Sequence, residues 1–220
     1  MGWSEVAARS HARRLELEGW LARYPMTRGA GSLFLATRPG IAVAGLSLRA
    51  AGPPAPTWWA HHCGVAWAAA WLMLRGHAFS GARELLEEGK WSGEITWRDR
   101  RGYREATHRP DLVAHRNGGH VALEIELARK SIERLRAILS RHLLWRSDGT
   151  TGGVVYVCGD LDGCERIRTV GAKVGFVGAR HGLRVELLDT IKAQAIEARV
   201  ADRRAAGFRR LAAHAVAHGS

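Results

Sequence analysis

Cysteine is scarce in this chain: Cys63, Cys158 and Cys164 are the whole complement, and no two of them stand in a CxxC spacing. So few and so scattered a set builds neither a disulfide framework nor a cysteine zinc site, and the thiols are expected to be reduced and structural. Long apolar runs are missing too. The longest stretch, WWAHHCGVAWAAAWLML, is broken by His61 and His62 and falls short of the ~18 apolar residues a membrane span requires. The opening residues carry no basic segment followed by an apolar core and a cleavage site, so export is not expected and the cytoplasm is the expected compartment. No internal repeat occurs. Lysine is also rare, four of the 33 Lys and Arg residues. The neighbours His61, His62 and Cys63 lack metal-ligand spacing, since consecutive residues of a helix point in different directions.

The 220 residues, 46% of them hydrophobic, allow one large domain or an ordinary domain with a small appendage. A formal net charge of +12 and a pI near 10.8 give a surface that attracts polyanions and gains affinity by releasing their counterions. Nucleic acid is the first partner this implies, ahead of a membrane surface or an acidic protein. The preference for Arg over Lys can itself come from GC-rich codon usage.

Along the chain, residues 3–22 read as a helix with a basic side formed by Arg9, Arg13 and Arg14. SLFLATRPGIAVAGL reads as a strand over 33–36, a turn and a short helix. The Pro- and Gly-rich AAGPPAPT at 50–57 continues neither ladder nor helix and marks a linker. Residues 58–75 then form a Trp- and Ala-rich helix, with Trp67, Trp71 and Leu74 at core spacing, and ARELLEE at 82–88 a second helical piece. GEITWR, PDLVAH and HVALEIEL alternate like strands of an antiparallel meander, with NGG at 117–119 as a tight turn. Ile132, Leu135, Ile138, Leu139 and Leu143 step by three and four, which predicts an amphipathic helix. VVYVC at 154–158 reads as a central strand, followed by a helix over 162–174 and a strand over 183–189. The expected class is α/β, with the order helix, three-strand meander, helix, strand, helix, strand. The domain expectation is an element over 1–50, a linker over 51–57, a main domain over 58–190 and a basic helix or tail over 191–220.

In VALEIEL the alternation of a strand puts Glu124 and Glu126 on one face, and a hairpin turned by NGG brings Asp111 near them. Like charges gathered in one place raise one another's pKa unless a cation binds, and oxygen ligands suit Mg²⁺ or Mn²⁺. Lys130, four residues after Glu126, can reach back to the same site and stabilise a phosphate transition state. The competing reading is a solvated sheet face, its carboxylates paired with Arg116, Arg129 or Arg134.

Pro110-Asp111, then Glu124-Ile125-Glu126, then Lys130, in that order of elements, resemble the PD-(D/E)XK nuclease superfamily. More narrowly, HRPDLVAHRNGGHVALEIELARKS resembles the replication-relaxation family of actinobacterial and plasmid proteins, and the similarity extends to SLFLATRPG, HHCGVA and ARELLEE. The resemblance implies a restriction-endonuclease-like core with a partial N-terminal winged-helix element. It implies Asp111 and Glu124 as metal ligands, Glu84 as a third, and Asp111, Glu124, Glu126 and Lys130 as the catalytic set. The superfamily usually has Lys two residues after the Glu, where this chain has Glu126.

The expected function is therefore that of a DNA-binding protein of a mobile element that cuts or nicks DNA with Mg²⁺ or Mn²⁺. The alternative is a non-catalytic DNA-binding regulator of plasmid replication or transfer, and a third reading is an interaction module. DNA contacts are expected from Arg9, Arg13, Arg14, Arg28, Arg38 and Arg129. A full winged helix needs further helices, so a homodimer or a partner chain is expected to complete it.

Overall fold

A computed structural model of the protein describes residues 5–26, 31–116, 118–177 and 182–201. The chain divides into two compact units, one formed by residues up to 59 together with those from 193, the other by residues 60–192.

In the first unit, α1 (Glu5–Leu17) carries the exposed ion pairs Arg9–Glu5 at 2.5 Å and Arg14–Glu18 at 2.8 Å. The helix stops short of the expected residue 22, because Gly19 takes φ +74° and turns the chain into a strand. That strand, β1 (Leu21–Pro25), pairs antiparallel with β2 (Ser32–Ala36), and α2 (Arg38–Val43) follows. The Thr37 hydroxyl caps α2 by accepting from the Gly40 amide at 3.2 Å, while donating to the Gly19 carbonyl at 2.6 Å. Residues 46–55 have no regular structure, and a single 3₁₀ turn follows at Pro56–Trp58.

In the second unit the elements are α3 (Trp59–Leu74), β3 (Ala78–Gly81), α4 (Ala82–Glu88), β4 (Gly93–Asp99), β5 (Gly102–His108), β6 (Leu112–Arg116), β7 (Gly119–Glu126), α5 (Ile132–Ser147), β8 (Gly153–Cys158), α6 (Leu161–Val174) and β9 (Leu183–Leu187). Residues 188–201 are helical and run across the boundary between the units. The architecture is α/β with a mixed five-stranded sheet in the order β3-β6-β7-β8-β9. β6 runs antiparallel to both its neighbours, β3 and β7, and β8 and β9 continue parallel to β7.

The expected meander of GEITWR, PDLVAH and HVALEIEL holds only for its last two strands, and the antiparallel trio in the sheet is β3-β6-β7. Its first strand is the four-residue AFSG of β3, whereas GEITWR belongs to β4, which pairs with β5 in a separate two-stranded ribbon. The reason lies in the period. Ile95 is buried at the interior-facing position of β4, which any half-covered strand would show, while four residues are too few to display alternation at all.

Helices cover both faces of the sheet. On one face, Ala122, Val154, Tyr156 and Cys158 pack against Leu135, Ile138 and Leu139 of α5 and Ile167 and Val170 of α6. On the other lies α3, so close that a side chain at Gly64 would meet Ile125 Cγ2 at 2.8 Å. Every residue of β8 is buried, as a central strand between two helical layers requires. The three cysteines are free, and Cys158 and Cys164 are buried. Among the described residues no helix is long and apolar enough to cross a membrane.

Candidate metal centre

Glu124 stands in the middle of the sheet, opposite Tyr156 in the parallel β7–β8 register, and is 5% exposed. Its face of the sheet is the one beneath α5. From that helix His142 descends on the same buried stripe as Leu135 and Leu139, seven and three residues earlier. His108, the last residue of β5, arrives from the side because the ribbon packs on α5 through Ile95.

His108 Nε2 lies 2.9 Å and His142 Nε2 2.8 Å from the same oxygen, Glu124 Oε1, and the two nitrogens are 3.4 Å apart. Among the described residues, this trio alone gathers three metal-ligating side chains within one ligand sphere. A tetrahedral ion with bonds of about 2.0–2.1 Å needs donor separations of roughly 3.3 Å, which the nitrogen pair already has. The carboxylate oxygen would have to withdraw by a few tenths of an ångström. Two imidazoles and a carboxylate therefore fit a divalent ion, and the donor set is one that borderline transition metals share.

Burial alone would raise the pKa of Glu124, but the charge and hydrogen bond of His108 and the hydrogen bond of His142 outweigh it and hold the carboxyl far below its usual range. His142 responds in the opposite sense: burial depresses its pKa, against the pull of Glu124. The two are consistent with an ionised carboxylate receiving hydrogen bonds from both rings. His142 Nδ1 and the Tyr156 hydroxyl are buried without a hydrogen-bond partner. Burial, then the fields of Glu124, Glu126 and Asp111 in turn, push the Tyr156 phenol well above its usual range. Three carboxylates thus bear on one buried hydroxyl.

The three do not act as one ligand set. Asp111 Oδ2 accepts from the Ile125 amide at 2.8 Å, and Oδ1 lies 3.0 Å from His61 Nε2 on α3, the helix of the opposite face. That hydrogen bond, more than it is offset by burial, raises the pKa of His61. Glu126 contacts the Lys130 ammonium, and its other oxygen accepts from the Lys130 amide at 3.3 Å. Lys130 therefore reaches back as expected, but towards Glu126. Glu84 is elsewhere: its carboxylate accepts from the Gly81 amide at the start of α4, the one half of a capping box that a glycine N-cap allows. Asp111, Glu124 and Glu84, the expected ligands, do not gather within one ligand sphere, and the group that does so among the described residues is His108, Glu124 and His142.

Of the expected DNA-contacting arginines, Arg9, Arg13 and Arg14 lie exposed or half-exposed on α1, and Arg38 opens α2. Arg129 faces Asp162 at 3.4 Å, both side chains being largely in solvent. Arg28 and the tail over 202–220 lie outside the described residues.

His61, His108 and His142 were not among the expected residues. His108 stands two positions before Pro110 in HRPD, and His142 interrupts the apolar stripe of α5, which are the only traces either leaves in the sequence.

A second histidine cluster occupies the opposite end of β6 and β7. Ser80 Oγ donates to Glu88 Oε1 at 3.1 Å and lies 2.8 Å from His115 Nε2, while His115 Nδ1 is 3.0 Å from His120 Nδ1. Trp91 Nε1 donates to the other Glu88 oxygen at 2.8 Å.

No protein-family model matches the chain, and no curated protein matches it.

Proposed function

We propose that the protein is a DNA-binding protein of a mobile element whose α/β domain has a restriction-endonuclease-like core of the PD-(D/E)XK type, close to the replication-relaxation family, and cleaves or nicks DNA with a divalent metal. The observation that carries this reading is the cluster His108–Glu124–His142 on a helix–strand–strand–strand–helix–strand frame, α3-β3-β6-β7-α5-β8, with Asp111 preceding β6 and Glu124 inside β7. A net charge of +12 supports a polyanionic substrate. The two imidazoles favour Mn²⁺ over Mg²⁺, because Mg²⁺ is held almost wholly by oxygen.

When bound, such an ion supplies Lewis acidity and lowers the pKa of a coordinated water. The remaining work falls to the chain itself. Glu124 contributes the anionic ligand, and His108 and His142 the neutral ones. Asp111 raises the pKa of His61 through their hydrogen bond, on the α3 face of the sheet and so apart from the cluster beneath α5. Lys130, held by Glu126, brings positive charge to the same end of the sheet and acts on His61 electrostatically.

One observation favours the second reading, a DNA-binding regulator that keeps the fold without cutting: the ammonium of Lys130 is engaged by Glu126 and so stands paired instead of presented to a phosphate. A supercoiled-plasmid nicking assay separates the two. Wild type should cut with Mn²⁺ and not with EDTA, and Glu124→Gln and His142→Gln should abolish cutting while the circular dichroism stays native. Retention of DNA with no cutting in any divalent metal would establish the regulator instead. Equal cutting by Glu124→Gln would overturn the site.

A further inference from the structure

We infer that the β4–β5 ribbon is a grip for duplex DNA, its tip entering the major groove while the His108–Glu124–His142 cluster stands at its base; the inference rests on the DNA reading above.

The ribbon is an outlier in the fold. It pairs only with itself, from Gly93↔His108 at its base to Asp99↔Gly102 at its tip, and neither edge joins the five-stranded sheet. It is nonetheless held firmly. Ile95 is 4% exposed in the core beside Leu135 and Leu139, the Arg141 guanidinium donates to the Glu94 carbonyl, and the Arg134 guanidinium sits 5.3 Å over the Trp97 ring. β4 lies along α5 as far as Arg98, so the part of the ribbon left to meet a partner is its turn end, residues 98–104.

The tip has the composition of a phosphate-binding surface. Residues 98–104, RDRRGYR, hold four arginines against one aspartate, a net +3. Arg104 pairs with that aspartate, Asp99, at 2.9 Å, which leaves the charge on Arg98, Arg100 and Arg101, all exposed. Tyr103 is 83% exposed, an unusual position for a large aromatic ring, and Arg98 lies 5.8 Å from its centroid. The groove between β4 and α5, of about 460 Å³, holds Arg136 and Arg141 beside Arg98 but also Glu94 and Glu133. These two glutamates and Glu105, midway along β5, repel phosphate, so anion contact is confined to the tip.

The dimensions select the partner. Two strands about 4.8 Å apart with their side chains make a body roughly 10 Å across, which enters the ~12 Å major groove of B-form DNA. The deep, narrow major groove of A-form RNA excludes it. From base to tip is six residue steps, about 20 Å at ~3.3 Å each, or roughly six base pairs along a duplex rising ~3.4 Å per pair. The tip thus stands about half a duplex turn along the ribbon from its base at Gly93 and His108.

Fluorescence anisotropy on the full chain tests this, using a duplex DNA, the RNA duplex of the same sequence and an acidic polypeptide across a series of salt concentrations. Wild type should prefer the DNA duplex. The triple variant Arg98→Ala, Arg100→Ala, Arg101→Ala should bind it about tenfold more weakly or worse, with the slope of log K against log salt reduced by about 2.7, the value for three lost phosphate contacts. The matching triple Lys variant should keep the slope, which excludes misfolding as the cause. An unchanged slope in the Ala variant, or an equal loss towards the RNA duplex or the polypeptide, would overturn the ribbon's role while leaving DNA binding intact. Wild type that holds no nucleic acid would remove the functional reading itself.

Discussion

His142 Nε2 lies 2.8 Å from Glu124 Oε1 with both side chains in the core, 1% and 6% exposed. A buried carboxylate and a buried imidazole at this distance stabilise the fold only as a pair. Removing Glu124 as Glu124→Ala leaves two imidazoles without an acceptor and should cost about 3–5 kcal/mol. Glu124→Gln keeps an oxygen acceptor and should cost roughly 1–3 kcal/mol. Urea denaturation of the two variants reads the difference, and equal losses would mean that the neutral acceptor oxygen contributes nothing and the charge carries the whole stabilisation.

The stability of the protein should bend with pH in two directions. His142, whose folded pKa lies below the ordinary imidazole value of about 6.5, contributes stability that is complete above about that pH and is lost as the pH falls, because the unfolded chain takes up the proton first. His62 and His120, also depressed, add to the same acid slope. His61, raised by Asp111, behaves oppositely: its contribution is complete below the ordinary imidazole value of about 6.5 and is lost as the pH rises through its folded pKa. Thermal unfolding between pH 5 and 8 should show a shallower acid limb in His142→Gln and a shallower alkaline limb in His61→Asn. Parallel profiles in all three proteins would contradict the assignment.

Alanine at position 40 sets two effects against each other. Within a helix, Gly to Ala ordinarily stabilises by up to about 1 kcal/mol. Here the new Cβ would stand 2.1 Å from the Trp20 carbonyl oxygen, a backbone atom that cannot step aside. The clash should prevail, so Gly40→Ala lowers stability by about 1–3 kcal/mol. Hydrogen exchange of the α2 amides and the Thr37 cap reads the loss directly.

The chain of Glu88, Ser80, His115 and His120 makes a prediction about protons. Glu88 is kept ionised chiefly by the Trp91 indole N–H, so the Ser80 hydroxyl spends its proton on Glu88 and His115 Nε2 must donate to Ser80. Neutral His115 then accepts at Nδ1, which forces the proton of His120 onto Nδ1. Nitrogen-15 correlation spectra near pH 8 should show His120 in the Nδ1–H form. Ser80→Ala should release that preference and cost roughly 1–3 kcal/mol, and an Nε2–H form in wild type would refute the ordering of the chain.

Much of the main unit was legible in the sequence because its signals are local. The stripe Ile132, Leu135, Ile138, Leu139, Leu143 marks α5, the linker composition at 50–57 falls where residues 46–55 lack regular structure, and ARELLEE coincides with α4. Three strands left weak marks: β1, cut out of an apparent helix by Gly19; β3, four residues long; and β5, whose GYREATH contains a single inward-facing apolar residue, Ala106. Glu124 was found because alternation places it on a definite face. His108 and His142 were not, because they reach Glu124 from sequence separations of 16 and 18 residues through a ribbon and a helix whose packing no local pattern records.

The amino-acid order alone determined the kinds of element, the inward face of β7 and α5, and the strong positive charge, since periodicity and composition belong to the chain itself. Tertiary packing decided which strands pair, which oxygen of which carboxylate meets an imidazole, and that Asp111 and Glu124 answer to helices on opposite faces of the sheet. The physical reason is one of range: a side chain's direction is set within a few residues, but its partner is set by which surfaces exclude water together.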